Sequence, residues 1–180
     1  MVESQLQEKI DPHRLPRHIA VIMDGNGRWG LKHKKSRNFG HKAGLKTVEK
    51  IIKTSIKNKI KYLTLYAFST ENWKRPKKEI NFLFDLLENF LTHRINDLHK
   101  QNIKLKIIGV KSFSLELNKL LRLAKKKTLK NNKLQINLAL NYGSKDEIIN
   151  AIRKNNKNAK LITEKNIEDN LYTTGIPNPD

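Results

Sequence analysis

The chain has 180 residues, 37 Lys and Arg against 17 Asp and Glu, a formal charge of +20, and no cysteine. That length suits one domain with a sizeable core, and the lack of cysteine excludes a disulfide framework and a thiolate metal site. The start, Met1 to Ile10, is polar and lacks the apolar segment of a signal peptide, and no run approaches the roughly 20 apolar residues that span a bilayer, so a cytoplasmic protein is expected. The positive field attracts phosphate in any form, from lipid headgroups to diphosphate substrates. The lysines, however, are dispersed and accompanied by abundant Asn and Ile, as an A/T-rich coding bias would produce. Nucleic acid is therefore not the expected partner.

Residues 1–17 read as a polar leader ending at Pro16, and residues 18–180 as one domain. The domain opens on His18-Ile19-Ala20-Val21-Ile22-Met23, a short apolar run with the pattern of a strand buried on both faces. The run breaks into Asp24-Gly25-Asn26-Gly27-Arg28-Trp29. Glycines after a buried strand let the backbone turn tightly and approach a ligand, and a helix starting soon afterwards aims free N–H groups at that loop. Arg28 adds a forked donor for phosphate oxygens, and Asp24 a hard oxygen ligand for Mg²⁺. A diphosphate site with a metal is one reading; a Gly-rich turn whose Asp caps a helix is the other. The stretch is neither a Walker loop nor a dinucleotide fingerprint.

Helical apolar spacing runs from Phe39 to about Lys59, and Tyr62 to Phe68 reads as a second buried strand ending in the polar loop Ser69–Pro76. A long helix follows, with Pro76 at or near its first turn and a wide apolar stripe from Ile80 to Leu98. Ile103–Ile108 predicts a strand, Leu115 to about Leu129 a helix ending in three lysines that complement its dipole, and Leu134–Leu140 a fourth strand. Ser144 and Glu147 predict a capping box for a helix through about Arg153; a polar loop over 154–160 and a short helix around Glu164–Tyr172 complete the pattern. Strands alternating with helices predict an α/β domain with a mainly parallel β-sheet flanked by helices. Ligands of such sheets bind beyond the carboxyl ends of the strands, which places the loops 24–29 and 69–75 on one rim. There they bring together Asp24, Asn26, Arg28, Trp29, Ser69, Glu71, Asn72, Trp73 and Arg75, with Arg37 and His41 close enough to join. Three arginines, a histidine, carboxylates and backbone amides suit two anionic groups bridged by a cation. Trp29 and Trp73 can equally be loop packing, His41 a surface histidine and Glu71 a turn cap.

Four stretches, H-I-A-V-I-M-D-G-N-G-R-W, R-N-F-G-H-K-A-G, L-T-L-Y-A-F-S-T-E-N-W-K-R-P and I-N-L-A-L-N-Y-G, stand in the order and spacing of the cis-prenyltransferase signatures. Over roughly residues 16–180 the chain resembles that family, most closely bacterial undecaprenyl diphosphate synthase. The resemblance implies an undecaprenyl-diphosphate-synthase-like fold and condensation of isopentenyl diphosphate with an allylic diphosphate, commonly farnesyl diphosphate, into long polyprenyl diphosphates for the cell-wall lipid carrier. It also implies Mg²⁺ on Asp24, a diphosphate cradle from Gly25, Asn26, Gly27 and Arg28, and allylic diphosphate contacts from Arg37 and His41. Ser69, Thr70, Glu71, Trp73 and Arg75 would position the second substrate and Asn72 would assist proton removal, while the long helix would wall a tunnel for the growing chain. A homodimer, and contact with the inner face of the membrane through the product, are implied by the same likeness.

The chain departs from the family at three points. Ile176-Pro177-Asn178-Pro179-Asp180 resembles the lead-in to a further strand and loop, so the sequence reads as lacking the C-terminal part and impaired catalysis is expected of it alone. Catalytic impairment leaves open a non-catalytic subunit that binds isoprenoid diphosphates. Gly109-Val110 stands where the family usually has Gly-Asp, and Gly143-Ser144-Lys145 where it has Gly-Gly-Arg.

Overall fold

A computed structural model describes residues 11, 14–110, 112–156 and 162–180. Most of the predicted leader, and most of the polar loop predicted over 154–160, lie outside the described residues. Four strands, β1 (His18–Ile22), β2 (Tyr62–Ser69), β3 (Ile103–Ile108) and β4 (Leu134–Tyr142), pair entirely in parallel in the order β1-β2-β4-β3. Helices α1 (Asn26–Lys34) and α2 (Arg37–Lys57) connect β1 to β2. A 3-10 turn (Thr70–Lys74) and α3 (Lys77–Lys100) lead to β3, and α4 (Leu115–Thr128) leads to β4. Helices α5 (Ser144–Asn156) and α6 (Glu164–Glu168) complete the order. Among the described residues no helix is long and apolar enough to cross a membrane.

The two faces of the sheet differ chemically because strand side chains alternate. Leu63 and Leu65 of β2, Ile103 and Leu105 of β3, and Leu134, Ile136 and Leu138 of β4 point to one side. There they meet Val48 and Ile52 of α2, Ile80, Leu91 and Leu98 of α3, and Leu117 and Leu121 of α4. Each such side chain contributes about 1.5–3 kcal/mol when removed from water, so this face is the core. The other face carries a polar relay. Gln135 Nε2 donates to Asn137 Oδ1, Asn137 Nδ2 to Thr64 Oγ1, and the ring of His18 joins Thr64 Oγ1 to the carbonyl of Pro177. A carbonyl only accepts, so His18 Nδ1 carries the proton and Nε2 accepts from the Thr64 hydroxyl. The relay ends on the last described segment, where Asp180 Oδ2 accepts from the backbone N–H groups of Arg17 and His18 at 2.7 and 2.9 Å.

Five expectations change. β1 is an edge strand and not buried on both faces: Ala20 is exposed and Ile22 is 75% exposed. β4 is the strand buried on both faces, down to Asn137, and it extends to Tyr142. The loop expected over 24–29 is short, because Gly25, at φ 85°, turns the chain so sharply that α1 starts at Asn26. The loop expected over 69–75 is a 3-10 turn held by a capping box between Ser69 and Asn72. No such box forms at Ser144, which already lies inside α5. Glu147 is buried there and accepts from Tyr142 Oη at 2.6 Å and the Thr173 N–H at 3.1 Å. Burial and this carboxylate drive the Tyr142 hydroxyl pKa far upward. The helix predicted over 164–172 is the single turn of α6.

Candidate active site

β1 and β2 end side by side, so the segments leaving the two strands share one rim. After β1 come Asp24 and the left-handed Gly25, which caps α1 without any side-chain hydrogen bond. The first-turn N–H groups of α1 are therefore left for a ligand, at the positive end of the helix dipole. Close packing fixes this terminus. A Cβ on Gly40 of α2 would collide with the Asn26 carbonyl, and one on Gly30 with the backbone at Ser36 and Gly40. Gly27 has the same logic toward a side chain, for a Cβ there would meet the Arg37 guanidinium at 2.9 Å. Asp24 and Arg28 pair at 3.0 Å with both side chains 74% exposed, an ion pair worth about 0–1 kcal/mol.

After β2, Asn72 Oδ1 accepts from the Ser69 N–H at 3.1 Å while the Ser69 side chain caps the turn in return. Because Oδ1 is the acceptor, the Asn72 amide N–H₂ remains a donor. Arg75 closes the turn and reaches Glu79, in the first turn of α3, at 3.1 Å. Glu79 is 7% exposed and also accepts from Arg37 Nε at 2.8 Å, Arg37 Nη2 at 3.2 Å and His41 Nε2 at 3.1 Å. One buried carboxylate thus ties α2 to the turn that follows β2. Burial alone would raise its pKa, but the hydrogen bonds from Arg37 and His41 and the charges of Arg37 and Arg75 outweigh that and hold it below the usual carboxylate value. His41 moves down as well: burial, helped by Arg75 and Arg37, outweighs the attraction of Glu79. Neutral His41 must carry its proton on Nε2, since an ionised Glu79 can only accept.

Between the core face of the sheet and helices α2 and α3 lies a cavity of about 320 Å³. Its polar mouth is lined by Asp24, Gly25, Asn26, Gly27 and Arg28 from the first segment, Arg37 and His41 from α2, and Ser69, Asn72 and Arg75 from the second. Its depth is apolar, from Leu83 and Phe84 past Leu87 and Phe90 to Leu91 and Leu98 on α3, with Leu45, Val48 and Ile52 of α2 opposite. The stripe on the long helix therefore serves the core and the cavity wall together. The mouth sets three arginines and a helix N-terminus against one lining carboxylate, Asp24, with Glu79 buried behind Arg37 and Arg75, a net positive site.

Four of the candidate residues lie outside that lining. Trp29 stacks on His33 and Phe39, with centroids 4.6 and 6.0 Å apart, and so fastens α1 to α2. Trp73 packs on Phe68 and Phe84 and donates its indole N–H to Asn141 Oδ1 at 2.7 Å. Glu71 is exposed, and Thr70 lies against Gly143. Glu79 is the residue that sequence reasoning missed. The signal was present, an acid four residues after Arg75 and one before the apolar Ile80, but burial of an acid in a first helical turn is a tertiary fact. Among the described residues no group of three or more His, Cys, Asp or Glu is placed to hold a metal ion. A cation here would have a single protein carboxylate, Asp24, and would take its other ligands from substrate oxygens and water, the way Mg²⁺ is commonly held.

A polar mouth over an apolar cavity suits a ligand with an anionic head and a hydrocarbon tail, and comparison with known proteins agrees. The family model described as putative undecaprenyl diphosphate synthase matches residues 22–180. The chain belongs to that family. It is 45% identical over 180 residues to an isoprenyl transferase of Clostridium tetani, covering 96% of this chain and 71% of that protein. It is 48% identical over 153 residues to a ditrans,polycis-undecaprenyl-diphosphate synthase of Wigglesworthia glossinidia brevipalpis described as specific for (2E,6E)-farnesyl diphosphate, covering 84% of this chain and 59% of that one. The crystal structure of lavandulyl diphosphate synthase from Lavandula x intermedia, in complex with dimethylallyl diphosphate, superposes with a TM-score of 0.86 at 30% identity, over 92% of this chain and 75% of that one. Membership in the undecaprenyl diphosphate synthase family supports cis-prenyl transfer as the activity.

Proposed function

We propose that the protein joins isopentenyl diphosphate to an allylic diphosphate, farnesyl diphosphate, and repeats the step to build a long polyprenyl diphosphate that serves as precursor of the cell-wall lipid carrier. The observation that carries this reading is the cavity itself, three arginines and an uncapped helix N-terminus at the mouth and hydrocarbon side chains below. The farnesyl-specific relative supports the choice of allylic substrate.

In this reading the first-turn N–H groups of α1, with Arg28, take the allylic diphosphate, and Arg37 and His41 hold it from α2. Ser69, Asn72 and Arg75 position isopentenyl diphosphate; Thr70, Glu71 and Trp73 support that turn from outside the cavity, as Trp29 supports α1. When the allylic carbon–oxygen bond breaks, charge develops on the departing diphosphate, and donors already aimed there stabilise it without reorganising. The new carbon–carbon bond leaves a proton to be removed. The Asn72 amide is too weakly basic to take it, and with Oδ1 committed to Ser69 its N–H₂ orients a diphosphate oxygen that can. Asp24 fits a Mg²⁺ ion, being exposed and held by one weak ion pair; when bound, that ion would neutralise diphosphate charge. A homodimer, and contact with the inner face of the membrane, belong to the same reading.

Incorporation of labelled isopentenyl diphosphate onto farnesyl diphosphate by the purified chain, with Mg²⁺ and with chelator, tests it. Measurable elongation, however slow, that requires Mg²⁺ and is lost in Asp24→Ala is the expected result. Tight farnesyl diphosphate binding with no elongation would replace it by a non-catalytic isoprenoid-diphosphate-binding subunit.

A further inference from the structure

Helix α4 buries Leu117, Leu121 and Ala124 against the core, yet it is leucine-rich on its outer side as well. Leu115 is 74% exposed, Leu123 50%, and Leu129, just past the helix end, 54%. At 100° per residue these three fall in a sector about 120° wide, and Lys119, Arg122 and Lys126, all exposed, fall between them. The only acid on the helix is Glu116; on α3, Glu88 accepts from Ser114 at the N-terminal end. Beside this face runs a groove between α3 and α4, floored by Leu91, Ile95, Leu120 and Leu123 and rimmed by Lys126 and Lys127. Leu91 also lines the deep part of the cavity, 12 residues, or about 18 Å, along α3 from Glu79. One helix wall therefore separates the far end of the cavity from the groove.

We propose that the outer face of α4, with the adjoining groove, docks on an anionic phospholipid bilayer. Exposed leucines interleaved with long cationic side chains suit the headgroup boundary, where the leucines enter the acyl region and the lysine and arginine stems reach back to lipid phosphates. Nucleic acid fits worse: the face offers leucines and no aromatic ring on which a base could stack. The biological use rests on the proposed function, since a long hydrocarbon product leaving a cavity that ends beneath this face has a lipid phase next to it.

Co-sedimentation with phosphatidylcholine vesicles, with and without phosphatidylglycerol, tests the docking independently of turnover. Binding only to the anionic vesicles is expected. The triple change Lys119→Gln, Arg122→Gln, Lys126→Gln should weaken it about a hundredfold, at roughly fivefold per cation. Lys50→Gln, Lys53→Gln, Lys57→Gln removes three exposed cations of identical spacing from α2 and should change it far less. Leu115→Ser, Leu123→Ser should make the remaining binding fully reversible by salt. Absence of vesicle binding, equal losses in the two triple variants, or an α4-dependent affinity for single-stranded RNA without vesicle binding would each overturn the proposal. A chain that binds vesicles through α4 but elongates nothing would leave it standing and remove the proposed function instead; elongation in detergent with no vesicle binding would do the reverse.

Discussion

Asp24 at the mouth and Glu79 behind it are each paired with arginine, and they are opposites. Asp24 is 74% exposed and has one arginine partner at 3.0 Å, whereas Glu79 is 7% exposed and binds Arg37, His41 and Arg75 between 2.8 and 3.2 Å. Water screens the first pair, so Asp24 can exchange Arg28 for a cation at little cost. Burial makes the second irreplaceable: a desolvated carboxylate is tolerable only while its partners stay in place, so the partners are held too. Exposure leaves one carboxylate open to solvent at the mouth, and burial makes the other the pin that holds three mouth-lining groups in register.

Four measurements break or sharpen that contrast. Asp24→Ala should cut elongation by about 10² to 10³-fold, or roughly 3–4 kcal/mol of barrier, while leaving the denaturation midpoint nearly unchanged. A large loss of stability in this variant would erase the distinction. Glu79→Ala should do the converse and lower unfolding free energy by about 3 kcal/mol in urea titrations, with Glu79→Gln intermediate because it keeps the shape but not the charge. Gly40→Ala, which forces a methyl onto the Asn26 carbonyl, should cost about 1–3 kcal/mol and also weaken diphosphate affinity by shifting the start of α1, as read by calorimetric titration.

The smallest effect is in acid. His41 is held below its ordinary pKa near 6.5, so on acidification the unfolded chain takes up this proton first, and stability should begin to fall as pH drops below about 6.5. Glu79, also lowered, contributes stability above the usual carboxylate value of 4.5 that is lost only as pH falls through its still lower folded value. Denaturant titrations of His41→Asn across this range should lose the first decline and keep the second.

Periodicity made the parallel α/β pattern legible, because β-branched runs ended by Gly, Asn and Ser, and stripes such as Ile80 to Leu98, have few other solutions. It did not reveal that β1 is an edge and β4 an interior strand, since both are apolar runs and strand order is a property of pairing. Nor did it place Glu147, whose spacing from Ser144 suggested a cap but whose carboxylate turns inward to Tyr142 and Thr173.

The amino-acid order by itself determined the chemistry on each segment: a carboxylate, glycines and an arginine after one strand, and a serine, an amide and an arginine after another. Those are local choices, written within a few residues of each strand end. Tertiary structure decided which of them face a common space. Arg28, Arg37 and Arg75 line the mouth, the two tryptophans fasten its walls from outside, and an acid that local reasoning passed over holds two of the three arginines. Burial and distance across segments 42 residues apart are sums over the whole fold, and no local pattern contains them.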